Sequence, residues 1–104
     1  MKLFRVCLDV RLLAWHPLYH EAQCGLLNVW LFAPSPERAA EAARRIVKEL
    51  PYELRAPLDQ VTDTPSALPE YQQCERAARQ MGVALFLAAL RAGVPEPPPM
   101  IEEG

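Results

Sequence analysis

The strictest pattern of hydrophobic and polar positions lies at the start of the chain, over residues 3–14. Apolar side chains occupy every second position, and charged residues such as Arg5 and Asp9 fall between them. This period of two predicts a long strand with one buried and one largely solvated face, which antiparallel pairing tolerates best. The predicted buried face consists of Phe4, Val6, Leu8, Val10, Leu12 and Ala14.

An apolar run over residues 26–33 predicts a second strand, joined to the first as a hairpin through a loop at 15–25. Both faces of this strand are apolar, which indicates a more central place in the sheet than the first strand has. One predicted face carries Leu27, Val29, Leu31 and Ala33, and the other carries Leu26, Asn28, Trp30 and Phe32.

A helix is predicted over residues 35–50, followed by a third strand at 52–56. Ser35 is placed to cap the helix N-terminus, and Pro36 stands at the first helical position, where proline is well tolerated. Two strands joined by one helix are most simply parallel, with a right-handed crossover. Residues 57–69, rich in proline, serine and threonine, are predicted to form a loop, with a short edge strand as an alternative for part of it.

A second helix is predicted over residues 69–93, with Gly93 as its C-terminal cap. Its second half is apolar nearly all round, which predicts burial on two sides, under the sheet edge or against a partner chain. The tail over 95–104 is proline-rich and acidic and is predicted to be disordered. The apolar stripe of this helix is predicted to contain Tyr71, Cys74, Ala78, Met81, Leu85, Ala88 and Ala92.

These elements predict a single α+β domain over residues 1–94. We expect a two-layer sandwich in which both helices lie on one face of a three- or four-stranded mixed sheet, in the order β-β-α-β-α. The turn from the second strand into the first helix, with SPERA at residues 35–39, is similar to that of small ferredoxin-like and related α+β proteins. That resemblance implies a related fold and assigns no functional residue.

Charge and length exclude several functional classes. The net charge is −2, and the arginines are interleaved with glutamates, so we expect no nucleic-acid partner. The longest apolar run, at residues 81–90, is about half of what a bilayer requires, so we expect no membrane insertion. Three cysteines without an export signal predict reduced thiols and a cytoplasmic location.

The sheet face left open by the helices is the leading candidate for function. It combines two aromatic side chains with charges of both signs, and exposed aromatics are typical of contact surfaces. We therefore expect a non-enzymatic binding or accessory module without a cofactor, which acts through protein–protein contact, most simply as a homodimer. The predicted binding surface consists of Arg5, Cys7, Asp9, Arg11, Asn28, Trp30 and Phe32.

The loop at residues 15–25 carries the alternative hypothesis. His16, His20 and Cys24 are spaced four apart, and imidazole and thiolate groups suit Zn²⁺ or another transition metal. Pro17 disfavours a helical conformation at His16, so the three do not form a continuous helical ladder. This alternative is a metal-binding protein or a small enzyme built on the loop. Glycine-rich phosphate loops and paired catalytic carboxylates are not evident in the sequence.

Overall fold

The described part of the chain begins with two strands, after which helices and strands alternate. The computed structural model describes residues 1–66 and 68–91, and for residues 56–59 and 89–91 only the backbone. The predicted tail at 95–104 lies outside these residues. The elements are β1 (Lys2–Leu12), β2 (Cys24–Ala33), α1 (Pro36–Lys48), β3 (Tyr52–Asp63), α2 (Pro69–Met81) and β4 (Val83–Arg91).

The strands of this part of the chain form one sheet in the order β3-β1-β2-β4. Every neighbouring pair is antiparallel. The predicted α+β class and the hairpin of the first two strands are confirmed, but the predicted mixed sheet is wrong. β2 and β3 do run in the same direction, yet β1 lies between them and pairs with both, so they never become neighbours.

One face of the sheet is covered by α1 and holds the larger core. Ser35 caps this helix as predicted, because its Oγ accepts a hydrogen bond from the backbone N–H of Arg38 at 3.2 Å. Ala39, Ala43 and Val47 then pack against the buried faces of β1 and β2. The sequence predicted these two strand faces correctly except at Ala14, which lies beyond the end of β1 and is exposed. The strand residues of this core are Phe4, Val6, Leu8, Val10, Leu27, Val29, Leu31 and Ala33.

The opposite face of the sheet carries α2. Ala78 packs there with Leu3 and Trp30, whose side chains project away from α1. The prediction that both helices share one face is therefore wrong, and the ferredoxin-like order is not confirmed. The physical reason lies in β2, because a strand that is apolar on both faces needs a cover on each.

The second predicted helix ends twelve residues early. Gly82 adopts a left-handed conformation with φ of 93°, and its N–H bonds the Ala78 carbonyl at 2.7 Å, which ends α2. The chain then continues as β4, which pairs with β2 from Val83 onward. Leu85 and Ala88, predicted on one helical stripe, therefore lie on opposite faces of the sheet. Residues 92 and 93 lie outside the described residues.

The third strand is longer than predicted. β3 extends to Asp63 and includes most of the segment that was expected to form a loop. Its pairing with β1 changes register between Leu8 and Val10. The four residues 55–58 therefore form an enlarged bulge opposite one residue of β1. Pro57 lies within this bulge, where a missing backbone N–H is tolerated.

Candidate functional site

The predicted binding surface lies on the sheet face that carries α2, called here the α2 face. It is only partly open, because α2 covers one end. Trp30 is fully buried, with 0 % of its surface exposed, and Phe32 is half-buried beside it. The exposed aromatic patch predicted from the sequence is therefore wrong. The seven residues of the predicted surface share this face as expected, but its aromatic part is core.

Arg5 forms the centre of the polar contacts on the α2 face. Its Nη1 donates to Oδ1 of the buried Asn28 at 3.0 Å, and its Nη2 donates to Oγ1 of Thr62 at 3.5 Å. Its Cζ lies 4.7 Å from the ring centroid of Tyr71 on α2, a cation–π contact. Arg5 therefore joins β1, β2, β3 and α2 in one cluster, which holds the guanidinium in a defined position.

A shallow groove of about 230 Å³ follows Arg5 along β1, lined by Cys7, Asp9, Leu26 and Gln60. Nη1 of Arg55 lies 3.9 Å from Oδ1 of Asp9, an ion pair too long to be a hydrogen bond. Both side chains remain about one third exposed, so solvent screens this pair. Arg11 lies at the far end of the predicted surface. In the strand pairing it stands opposite Glu53 of β3 and Cys24 of β2.

The thiols on this face are poor nucleophiles. Burial raises the pKa of the Cys7 thiol; the nearby Arg5 lowers that pKa and Asp9 raises it, both to a smaller extent. Burial, followed by the charge of Glu75, also raises the pKa of Cys74. The thiolate is the reactive form, so neither cysteine has the activated character that thiol catalysis requires.

The raised pKa of Cys7 predicts a loss of stability in alkali. The unfolded chain releases this proton near the ordinary pKa of 9.0, whereas the folded chain retains it to a higher pH. The contribution is therefore fully present below pH 9 and is lost as the pH rises above it. Denaturant melts at pH 7.5 and pH 10 should show this loss, and Cys7→Ala should make it smaller. An unchanged alkaline loss in Cys7→Ala would contradict the assignment to Cys7.

The predicted metal ligands are engaged elsewhere or separated. Nδ1 of His16 accepts a hydrogen bond from the backbone N–H of Leu18 at 2.9 Å. The ring proton is therefore on Nε2, which donates to the Tyr52 hydroxyl at 3.0 Å. His20 packs edge-on against Tyr19, and Cys24 is buried in β2. Among the described residues, no set of three ligating side chains is brought together for a metal ion.

Within the described sheet β4 is an edge strand, which the sequence interpretation missed because it placed residues 83–90 in a helix. Leu85 and Phe86 are 41 % and 37 % exposed and project from opposite faces of this strand. The available signal was Gly82, which follows a complete helical stripe and precedes the uncharged segment VALFLAAL. A glycine at that position is typical of a helix C-terminus, and a strand is then a natural continuation.

The chain has no detected relative that would assign a function to these features. Comparisons with protein-family profiles, with curated proteins and with solved structures gave no match. Within the described residues, no helix is long and apolar enough to cross a membrane.

Proposed function

We propose that this protein is a protein-binding module that acts as a homodimer through β4. The β4 strands of two copies pair antiparallel across a two-fold axis, and the two sheets become one continuous sheet. Such strand addition uses the backbone N–H and C=O groups that an edge strand leaves unpaired. This proposal keeps the homodimer expected from the sequence and transfers it from the α2 face to the sheet edge.

The observation that carries this proposal is the contrast between the two edge strands of the described sheet. β3 has an enlarged bulge of four residues, a proline within that bulge, and charged side chains at Glu53, Arg55 and Asp63. These are the features by which proteins prevent sheets from joining edge to edge. The segment from Val83 to Leu90 in β4 has no charge, no proline and no glycine. One edge is therefore protected against pairing, and the other is suited to it.

A second copy fits this edge better than an unrelated partner strand. An antiparallel two-fold arrangement places the same uncharged segment opposite itself, so no like charges face each other over residues 83–90. Leu85 and Phe86 project to opposite sides of the strand, so a paired edge would bury apolar surface on both faces of the joined sheet.

Sedimentation equilibrium at micromolar concentration tests the proposal directly. We expect the wild-type chain to sediment as a dimer, and we expect Leu85→Lys to raise its dissociation constant at least about tenfold, because charged side chains disfavour edge pairing. Leu68→Lys is the matched control. Leu68 is 48 % exposed, and it lies at the opposite end of α2 from the start of β4. This variant should dimerise like the wild type.

Two results would reject a homodimer formed through β4. A wild-type chain that sediments only as a monomer would leave the β4 edge to a strand of a different protein. Equal weakening by Leu85→Lys and Leu68→Lys would show that added charge, and not the β4 edge, disturbs association.

A further inference from the structure

Arg5 carries a charge that none of its observed contacts neutralises. Its partners Asn28, Thr62 and Tyr71 are all uncharged at neutral pH. Among the described side chains it forms no ion pair with a carboxylate, in contrast to Lys2, which pairs with Asp63 at 3.3 Å. A half-buried cation held only by neutral groups is an arrangement suited to an external anion.

The guanidinium retains donors for such an anion. It has five N–H groups, and the contacts with Asn28 and Thr62 use one on Nη1 and one on Nη2. Among the described residues, one N–H on each terminal nitrogen and the N–H on Nε are therefore left. Two of these can meet the two oxygens of a carboxylate or phosphate, the bidentate arrangement that arginine favours. The cation–π contact with Tyr71 restricts the side chain before any ligand arrives.

A second donor without an acceptor lies beside Arg5. Trp30 is the cross-strand partner of Arg5 on β2, and its buried Nε1–H has no hydrogen-bond partner among the described residues. Cross-strand neighbours place their Cβ atoms about 5 Å apart. Tyr71 contacts both side chains, since its ring centroid lies 5.3 Å from that of Trp30. Two side chains with unused donors are thus cross-strand neighbours at the junction of the sheet with α2.

The surroundings of Arg5 do not oppose a negative charge. Along the α2 face its next neighbours are Cys7, Thr62 and Gln60, and burial keeps the Cys7 thiol protonated by raising its pKa. The nearest carboxylate along β1 is Asp9, which is paired with Arg55. Glu75 of α2 is buried one helical turn from Tyr71, and its Oε2 accepts a hydrogen bond from the Ser66 backbone N–H at 2.8 Å. The groups in direct contact with Arg5 are therefore neutral, and both of these carboxylates already have a partner.

We propose that Arg5 binds a small oxyanion, a carboxylate or phosphate group, at the junction of β1 and α2. This site does not depend on dimerisation, although Tyr71 also contacts Phe86 of β4, with ring centroids 6.1 Å apart. The ligand approaches from the exposed side of Arg5, and Tyr71 holds the guanidinium in place from α2. The uncharged partners keep the guanidinium positioned when no ligand is bound.

The buried Trp30 supplies a fluorescence reporter for this site. Trp15 is 66 % exposed and would obscure the signal, so the titrations use the Trp15→Phe variant. We expect sodium acetate or sodium phosphate, but not sodium chloride at equal ionic strength, to change the Trp30 emission in a saturable way. The stronger of the two oxyanions identifies the ligand as a carboxylate or a phosphate. An identical response to all three salts would overturn the proposal.

Variants at two arginines of the α2 face assign the response. Arg5→Met should weaken oxyanion binding at least about tenfold, because the charge-assisted hydrogen bonds are lost. Arg55→Met is the matched control, and it should bind like the parent, since Arg55 is already paired with Asp9. Equal affinity in Arg5→Met and the parent would reject the site.

Arg5→Lys is a second, more conservative variant that tests the same site if Arg5→Met fails to fold. Arg5→Lys retains the positive charge but lacks the planar fork of donors. We expect a folded protein, checked by circular dichroism, in which oxyanion binding is weakened about fivefold or more. Full affinity in a folded Arg5→Lys would show that charge alone suffices, which would contradict the bidentate site.

Discussion

Trp30→Ala should destabilise the folded protein by about 3–5 kcal/mol, the range for truncating a buried large aromatic side chain. Trp15→Ala should change stability by less than about 0.5 kcal/mol, as surface substitutions usually do. The difference follows from burial, because Trp30 is completely buried and Trp15 is 66 % exposed. Denaturant melts at equal protein concentration measure both values, since dimerisation would make stability depend on concentration.

The loss at Trp30 should be concentrated in α2. Few side chains attach this helix to the sheet, and Trp30 contacts Tyr71 and lies in one cluster with Ala78. Without the indole, the helix loses its largest fully buried contact with β2, while Leu3, Phe32 and Ala84 of the same cluster remain. Hydrogen exchange should therefore accelerate more for the amides of α2 than for those of β1. Equal acceleration in both elements would show that Trp30 supports the sheet and not the helix.

Leu8→Ala should destabilise the protein by about 2–5 kcal/mol through the cavity it leaves beneath α1. Leu8 is 2 % exposed and lies in the larger core with its cross-strand partner Leu27. Leu26→Ala is the matched control, since Leu26 is the neighbour of Leu27 on β2 but lies on the α2 face and is 36 % exposed. We expect that variant to lose less than about 1 kcal/mol.

Denaturant melts of the two leucine variants decide between the sheet faces. A Leu26→Ala loss as large as that of Leu8→Ala would mean that the open part of the α2 face is covered in solution. Dimerisation through the α2 face would produce that result, whereas dimerisation through the β4 edge would not require it. The pair therefore also bears on the proposed function.

Local patterns were sufficient for the first half of the fold. The alternation over residues 3–14 predicted which side chains of β1 are buried, and the run at 26–33 did the same for the core face of β2. Ser35 and Pro36 marked the start of α1 correctly. These features follow from chemistry within a few residues, since a strand has a period of two and a helix needs acceptors at its first turn.

The candidate sites required contacts between distant parts of the chain. Arg5 and Thr62 are 57 residues apart in sequence, and Tyr71 belongs to a helix whose position depends on the whole sheet. The sequence placed Arg5, Cys7 and Asn28 on one face, which is correct. It could not show that Arg5 would be held by neutral partners, because those contacts depend on the pairing of β1 with β3 and on the docking of α2.

Residues 83–91 show where sequence determines structure and where tertiary contacts decide it. By itself this apolar segment fits either a buried helix or a strand, because both bury a continuous run of this length. β2 decided the outcome, since its free edge needs partners for its backbone N–H and C=O groups, and β4 supplies them. The same step made β4 an edge of the described sheet, and α2 buried Trp30 on the α2 face. Periodicity determines which side chains share a face, but the element that covers the face is selected by long-range backbone pairing.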